Sequence, residues 1–115
     1  MIRILVVGAG RVGAHVLRQL QKNPSLTIIT CDPRQEPFAV QDGIISSVDI
    51  LETLTPLNLA YVLEQAKPDL ILLTRTSADF GLGKAPGMDV MVNSLKMELA
   101  SISTIPLIEV SRTVG

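Results

Sequence analysis

The sequence predicts an α/β fold, a doubly wound parallel sheet of about five strands with helices on both faces. Three observations predict it. Unbroken apolar runs such as Ile4-Leu5-Val6-Val7 and Leu70-Ile71-Leu72-Leu73 are how strands read when a parallel sheet is covered on both sides. These runs alternate with segments whose apolar residues recur at helical spacing. The first run also passes directly into Gly8-Ala9-Gly10-Arg11-Val12-Gly13, three glycines in the order G-x-G-x-x-G at a strand-to-helix junction.

The totals are consistent with that fold and narrow the function. A chain of 115 residues makes one domain, residues 1–115, with a single core. Its mean hydropathy of +0.41 is high for so short a chain, and a sheet buried on both faces accounts for it. No apolar stretch approaches the roughly eighteen residues of a membrane span, so no membrane insertion is expected. The opening apolar run stops at Gly8, too short for a signal peptide. A formal charge of −1, scattered basic residues and 3% aromatics give no nucleic-acid footprint. One cysteine and one histidine cannot supply a zinc ligand set, and a lone cysteine fits a reducing cytoplasm.

Taken in order, Arg3 to Val7 is the first strand. The helix after it runs to about Lys22, with Val12, Val16, Leu17 and Leu20 as its inward stripe. Asn23-Pro24-Ser25 ends it, and Leu26 to Cys31 is the second strand, closing at Asp32. Pro33 to Asp42, polar and with two prolines, is a loop with room for one helical turn. A weaker third strand falls at Ile45 to Val48. Thr55-Pro56 opens a crossover helix whose buried stripe is Leu59, Val62, Leu63 and Ala66, and Pro68 stops it. Asp69 to Thr76 is the fourth strand. A glycine-rich loop, Ser77 to Gly87, leads to a helix from Met88 to about Ser101 with Met88, Met91, Val92, Leu95 and Leu99 inward. Ile105 to Val110 is the fifth strand. Leu57 and Tyr61 on one helix, and Val90 and Met97 on another, form second apolar stripes that suit a homodimer or a missing partner domain.

The glycine turn is the candidate site, and its residue types have separable physical roles. Gly8 turns the chain sharply off the strand. Gly10 lets a pyrophosphate approach bare backbone, and Gly13 lets the helix pack close to the sheet. The phosphates would meet the first helical N–H groups, at Arg11 and Val12, where the helix dipole favours an anion. Asp32, nineteen positions beyond Gly13, stands where a carboxylate accepts hydrogen bonds from the adenosine ribose. It would repel a 2′-phosphate, so NAD is expected and NADP is disfavoured. Arg34 is either a solvated loop residue or a group that stacks on adenine or approaches a 2′-phosphate. Thr74, at the carboxyl end of the fourth strand, completes the set because ligands of open parallel sheets bind at such ends. Lys84 on the following loop could reach an anion.

Several pieces resemble the nucleotide-binding half of extended short-chain dehydrogenases/reductases, the epimerase type built on a Rossmann fold. They are Gly10-x-x-Gly13-x-His15, Asp32, Val48-Asp49-Ile50, Lys67-Pro68-Asp69-Leu70-Ile71, Val92-Asn93 with Leu99-Ala100, and Val110-Ser111. The resemblance implies Asp49 near the adenine, Asn93 as a buried structural residue, Ser111 at the position of the catalytic hydroxyl, and the last helix in a dimer interface. The chain departs from that family at Val7, where the first glycine of its turn would stand, and at Tyr61, followed four residues later by Gln65 instead of lysine. Gly8-Ala9-Gly10-Arg11-Val12-Gly13 and Asp32 also resemble the regulatory TrkA-N or RCK domains of potassium transport.

No complete catalytic set can be assembled, so the catalytic residues are unknown. Two functions are expected. One is the NAD(P)-binding domain of an oxidoreductase or epimerase-type enzyme, not catalytically complete alone, with the ending at Gly115 suggesting a piece of a longer protein. The other is a stand-alone nucleotide-sensing module.

Overall fold

The computed structural model describes residues 2–74, 94 and 97–110. Among them, strands β1 (Ile2–Val7), β2 (Leu26–Cys31), β3 (Leu70–Leu73) and β4 (Leu107–Glu109) form one sheet in the order β2-β1-β3-β4. Every pairing is parallel, with Ile4 opposite Ile28 on one side and Leu70 on the other. Helices α1 (Arg11–Leu20), α2 (Phe38–Gln41) and α3 (Leu59–Ala66) join these strands, and residues 97–102 are also helical. No helix among the described residues is long and apolar enough to cross a membrane.

The unbroken apolar runs of β1 and β3 follow from burial on both faces. Successive strand residues point to opposite sides. Leu5 and Val7 join Ile71, Leu73, Leu59, Val62 and Leu99 in one cluster, whereas Ile4 and Val6 join Ala14, Leu17 and Ala39 in another. Leu5, Val6 and Val7 are each fully buried. Side chains of this size contribute about 1.5–3 kcal/mol apiece when removed from water, so β1 is the most heavily anchored element. Arg3, at its start, turns its guanidinium onto the end of α3: Nη2 donates to the Ala66 carbonyl at 2.7 Å and Nε at 3.0 Å. A cation there also complements the negative end of the helix dipole.

Four strands replace the expected five among the described residues. Ile45 to Val48 is not a strand; residues 44–47 bend, and only Ile50 bridges β2, opposite Cys31. The cause is local. The Thr30 N–H donates to Asp49 Oδ2 at 2.9 Å, and Thr30 Oγ1 accepts from the Asp49 N–H at 3.0 Å. Side chains have taken hydrogen-bonding groups that a ladder would have used. The Ile50 N–H then reaches the Thr30 carbonyl at 2.9 Å, and the Asp32 N–H reaches the Ile50 carbonyl at 3.0 Å.

Other expectations shift by small amounts for identifiable reasons. Helix α1 buries Gly13, Ala14 and Leu17, leaving Val12, Val16 and Leu20 half-buried, because it rests on its smallest residues. Helix α3 begins at Leu59, not at Thr55-Pro56. The Asn58 side chain folds back there, accepting from the Thr55 N–H at 2.8 Å and donating to the Thr53 carbonyl at 2.8 Å. It ends as expected, with Lys67 left-handed at φ 47° before Pro68. Leu57, Tyr61 and Met97 are exposed, at 98%, 55% and 74%. Arg75 and Thr76 of the expected fourth strand, Lys84, Met88, Val90, Met91, Val92, Asn93, Leu95 and Ser111 lie outside the described residues.

Candidate functional site

The chain leaves β1 through Gly8, whose φ of +102° is a conformation that side-chain-bearing residues rarely adopt. The Gly8 N–H donates to the Cys31 carbonyl at 2.8 Å, which ties the turn to the end of β2. Gly10 then caps α1 in an extended conformation, and its carbonyl accepts the Ala14 N–H at 2.7 Å. An α-helix leaves its first N–H groups, here from Arg11 and Val12 onward, without intrahelical partners. Neither a side-chain cap nor an acidic residue in the first turn offsets this positive end.

Gly13 meets the steric expectation for the third glycine. A Cβ built on it would lie 2.0 Å from the Gly8 carbonyl oxygen and 2.9 Å from Thr74 Oγ1. Thr74 is itself 1% exposed, and its hydroxyl lies 2.9 Å from both the Val7 and Gly8 carbonyls, sharing one proton between them. Its own N–H donates to the Val7 carbonyl at 2.9 Å. The Thr74 side chain thus faces the underside of the turn and fixes its shape.

Asp32 is also drawn inward. Its carboxylate is fully buried, with Oδ2 accepting from the Ala9 N–H at 2.8 Å and from Arg34 Nη2 at 2.8 Å. Oδ1 accepts from the Arg34 N–H and from Arg34 Nε, both at 2.9 Å. A carboxylate offers about four lone-pair positions, so the protein itself fills them. Burial alone would push the Asp32 pKa up; the Arg34 guanidinium and the Ala9 and Arg34 N–H groups outweigh it and hold the pKa below the ordinary 3.8. Arg34 remains 41% exposed, so its guanidinium spans buried carboxylate and solvent.

Gly8, Gly10, Arg11, Val12, Gly13, Asp32, Arg34 and Thr74 therefore gather around one turn at the carboxyl ends of β1, β2 and β3. Asp49 stands apart. It is engaged on Thr30 along the side of β2 away from β1. Arg11 packs its guanidinium 4.7 Å above the Phe38 ring, and with His15, Arg18 and Asp42 it lines a cleft of about 260 Å³. Cys31 is buried and donates its thiol to the Glu52 carbonyl at 3.3 Å. A second cleft of about 460 Å³, between α3 and residues 102–105, contains none of the predicted site residues. Among the described residues no group of three His, Cys, Asp or Glu side chains could hold a metal ion.

The spacing of the glycines pointed to the turn, but two of its supports carry no local signal. Nothing in the sequence links Ala9 to Asp32, or the Thr74 hydroxyl to Gly8, until β1, β2 and β3 are side by side. Neither a protein-family model nor a curated protein matches this sequence.

Proposed function

We propose that this chain is a Rossmann-type, doubly wound domain that binds NAD or NADP for an oxidoreductase or epimerase-type enzyme. One observation carries the reading: a glycine turn with bare backbone and an uncapped helix start lies where strand order reverses. The chain passes from β1 to β2 on one side, then returns to β3 on the other side of β1. Open α/β sheets bind ligands in the crevice at that switch point, outside the strand carboxyl ends. The turn lies there, and a diphosphate is the anion whose size and charge suit several N–H groups at a helix start.

A bound nicotinamide would supply hydride chemistry, and this chain would hold and orient it. The acidic side chain beside the turn is occupied structurally, Asp32 on Ala9 and Arg34. Among the described residues no acid–base group stands free at the turn, and in this reading such groups come from elsewhere, a partner subunit or a further domain included. Exposed Leu57, Tyr61 and Met97 are the surface that such a partner, or a second copy in a homodimer, would cover.

A second reading keeps the site and omits the enzyme. Asp32 accepts from Ala9, whose carbonyl accepts the Ala39 N–H at 3.0 Å, so the turn is coupled to α2 and to residues 33–37. Nucleotide at the turn would pull on that segment, as a sensing module requires.

Titration calorimetry with NAD+ and NADP+ tests the common claim. At least one binds, in the micromolar range or weaker, and Gly10→Val abolishes the heat because a branched side chain blocks approach to the backbone. Binding retained by folded Gly10→Val would remove the turn from the site.

A further inference from the structure

We propose that the groove along α3 is an interface between two copies of this chain, related by a twofold axis that passes between Glu64 and Lys67. Association there does not depend on a dinucleotide. The groove, about 460 Å³, runs between α3 and residues 102–105. Buried Leu59 and Pro68, half-buried Leu63 and Ile105, and exposed Ala60 and Ile102 make its lining apolar. Tyr61 projects beside it, 55% exposed, its hydroxyl accepting from Gln65 Nε2 at 2.7 Å. An apolar hollow and an aromatic projection therefore share one face, and contiguous exposed apolar surface of this kind marks an interaction site.

Charge decides what covers it. Glu64 and Lys67 are exposed, line the groove about one helical turn apart, and make no ion pair among the described residues. In a twofold pair, if one residue meets another, the second meets the first across the axis. An axis midway between Glu64 and Lys67 thus sets each carboxylate against the other copy's ammonium, on both sides. A partner of single charge sign would face one of the two with a like charge. Tyr61 lies on the Glu64 side of α3, three residues before it, and the groove deepens on the Lys67 side. The same rotation lays each Tyr61 over the other copy's groove, near Pro68 and Thr104, and aromatic rings in apolar hollows anchor interfaces. Lys67 stands at the amino end of the sheet, where its carbonyl accepts from Arg3 Nε at 3.2 Å. The glycine turn is at the carboxyl end, so pairing here leaves both turns open.

Sedimentation velocity on the full chain, over a range of concentrations, tests the pairing. The wild type should form dimers in the micromolar range that weaken as sodium chloride is raised. Glu64→Lys and Lys67→Glu each set like charges together and should weaken the dimer about tenfold or more. Mixed in equal amounts, these two variants should associate as the wild type does, because one copy then carries both cations and the other both carboxylates. Tyr61→Ser should also weaken the dimer, and circular dichroism checks that every variant folds. A wild type that stays monomeric up to about 1 mM overturns the proposal, as does a dimer that none of the folded variants weakens. A mixture that fails to recover the dimer overturns the pairing of Glu64 with Lys67. Dinucleotide affinity should be the same in all of these variants, so the dimer and the nucleotide site stand or fall separately.

Discussion

Two regions near the carboxyl end of β2, one on each side of it, use the same pair of residue types to opposite effect. At the glycine turn, Thr74 donates to backbone carbonyls and Asp32 accepts a backbone N–H. At the outer side of β2, Asp49 accepts the Thr30 N–H while Thr30 accepts the Asp49 N–H. In the first region side chains fasten a backbone conformation that strands and helices cannot supply. In the second they take over groups that a strand would have paired, and the expected strand shrinks to one bridge at Ile50. Burial separates the outcomes. Asp32 and Thr74 are both buried, where an unpaired polar group is costly, whereas in the second pair Thr30 is buried but Asp49 is exposed, so water can replace the partners of the carboxylate.

Gly13→Ala is the most damaging change to the buried region. The new Cβ would stand 2.0 Å from the Gly8 carbonyl oxygen, a backbone atom with Thr74 behind it. Neither can move without lifting α1 off the turn, so the cost is about 3 kcal/mol, the upper part of the overpacking range. Urea unfolding should show that loss, with dinucleotide binding lost as well. A cost under about 0.5 kcal/mol, the scale of an ordinary surface change, would mean that the helix does not rest on the turn.

This contact also marks how far sequence reasoning reaches. Glycine spacing located the turn because each glycine answers a steric demand that is local or one helical turn away. The period of apolar residues set β2 at Leu26 to Cys31, matching the structure, and placed Leu59, Val62 and Ala66 on the buried face of α3. The same period misplaced the inner face of α1, since it weighs hydrophobicity and not the closeness that Gly13 and Ala14 allow. Ile45 to Val48 looked like a strand because its apolar residues fit one. What prevented it was Thr30, nineteen residues from Asp49, whose effect exists only after folding. Asp32 lies beside the glycine turn, and its saturation by Ala9 and Arg34 is a tertiary fact with no sequence period.

Removing the Asp32 carboxylate comes next in size. Asp32→Ala strands the buried Ala9 N–H and releases Arg34, which should cost about 2 kcal/mol; the exposure of Arg34 keeps the ion pair itself a minor part. The sign of the pH dependence follows from the lowered pKa. A carboxylate more acidic in the folded than in the unfolded protein contributes fully above its unfolded pKa, and that contribution fades as pH falls through the folded value. The stability difference between wild type and Asp32→Ala should therefore be constant near neutrality and shrink below the ordinary value of 3.8. A difference that grows on acidification would mean that burial dominates and the carboxyl is protonated in the fold.

The smallest effect is expected at Asp49, and it tests the comparison most sharply. Asp49→Ala leaves the buried Thr30 N–H facing the cleft that Thr30 lines with Ser46, Ser47 and Asp49, so water can take the place of the carboxylate. Stability should change by no more than about 0.5 kcal/mol, while the Thr30 amide exchanges its hydrogen faster than in the wild type. Dinucleotide affinity should not move, because the sheet order puts β2 between Asp49 and the turn on β1. A weakened affinity with unchanged stability would return Asp49 to the adenine side of the site, as its resemblance to the epimerase-type pattern suggests. Loss of about 2 kcal/mol instead would show that the Thr30–Asp49 pairing is as firmly built as the contacts beneath Gly8, and the contrast between the fully buried pair and the half-exposed one would fail.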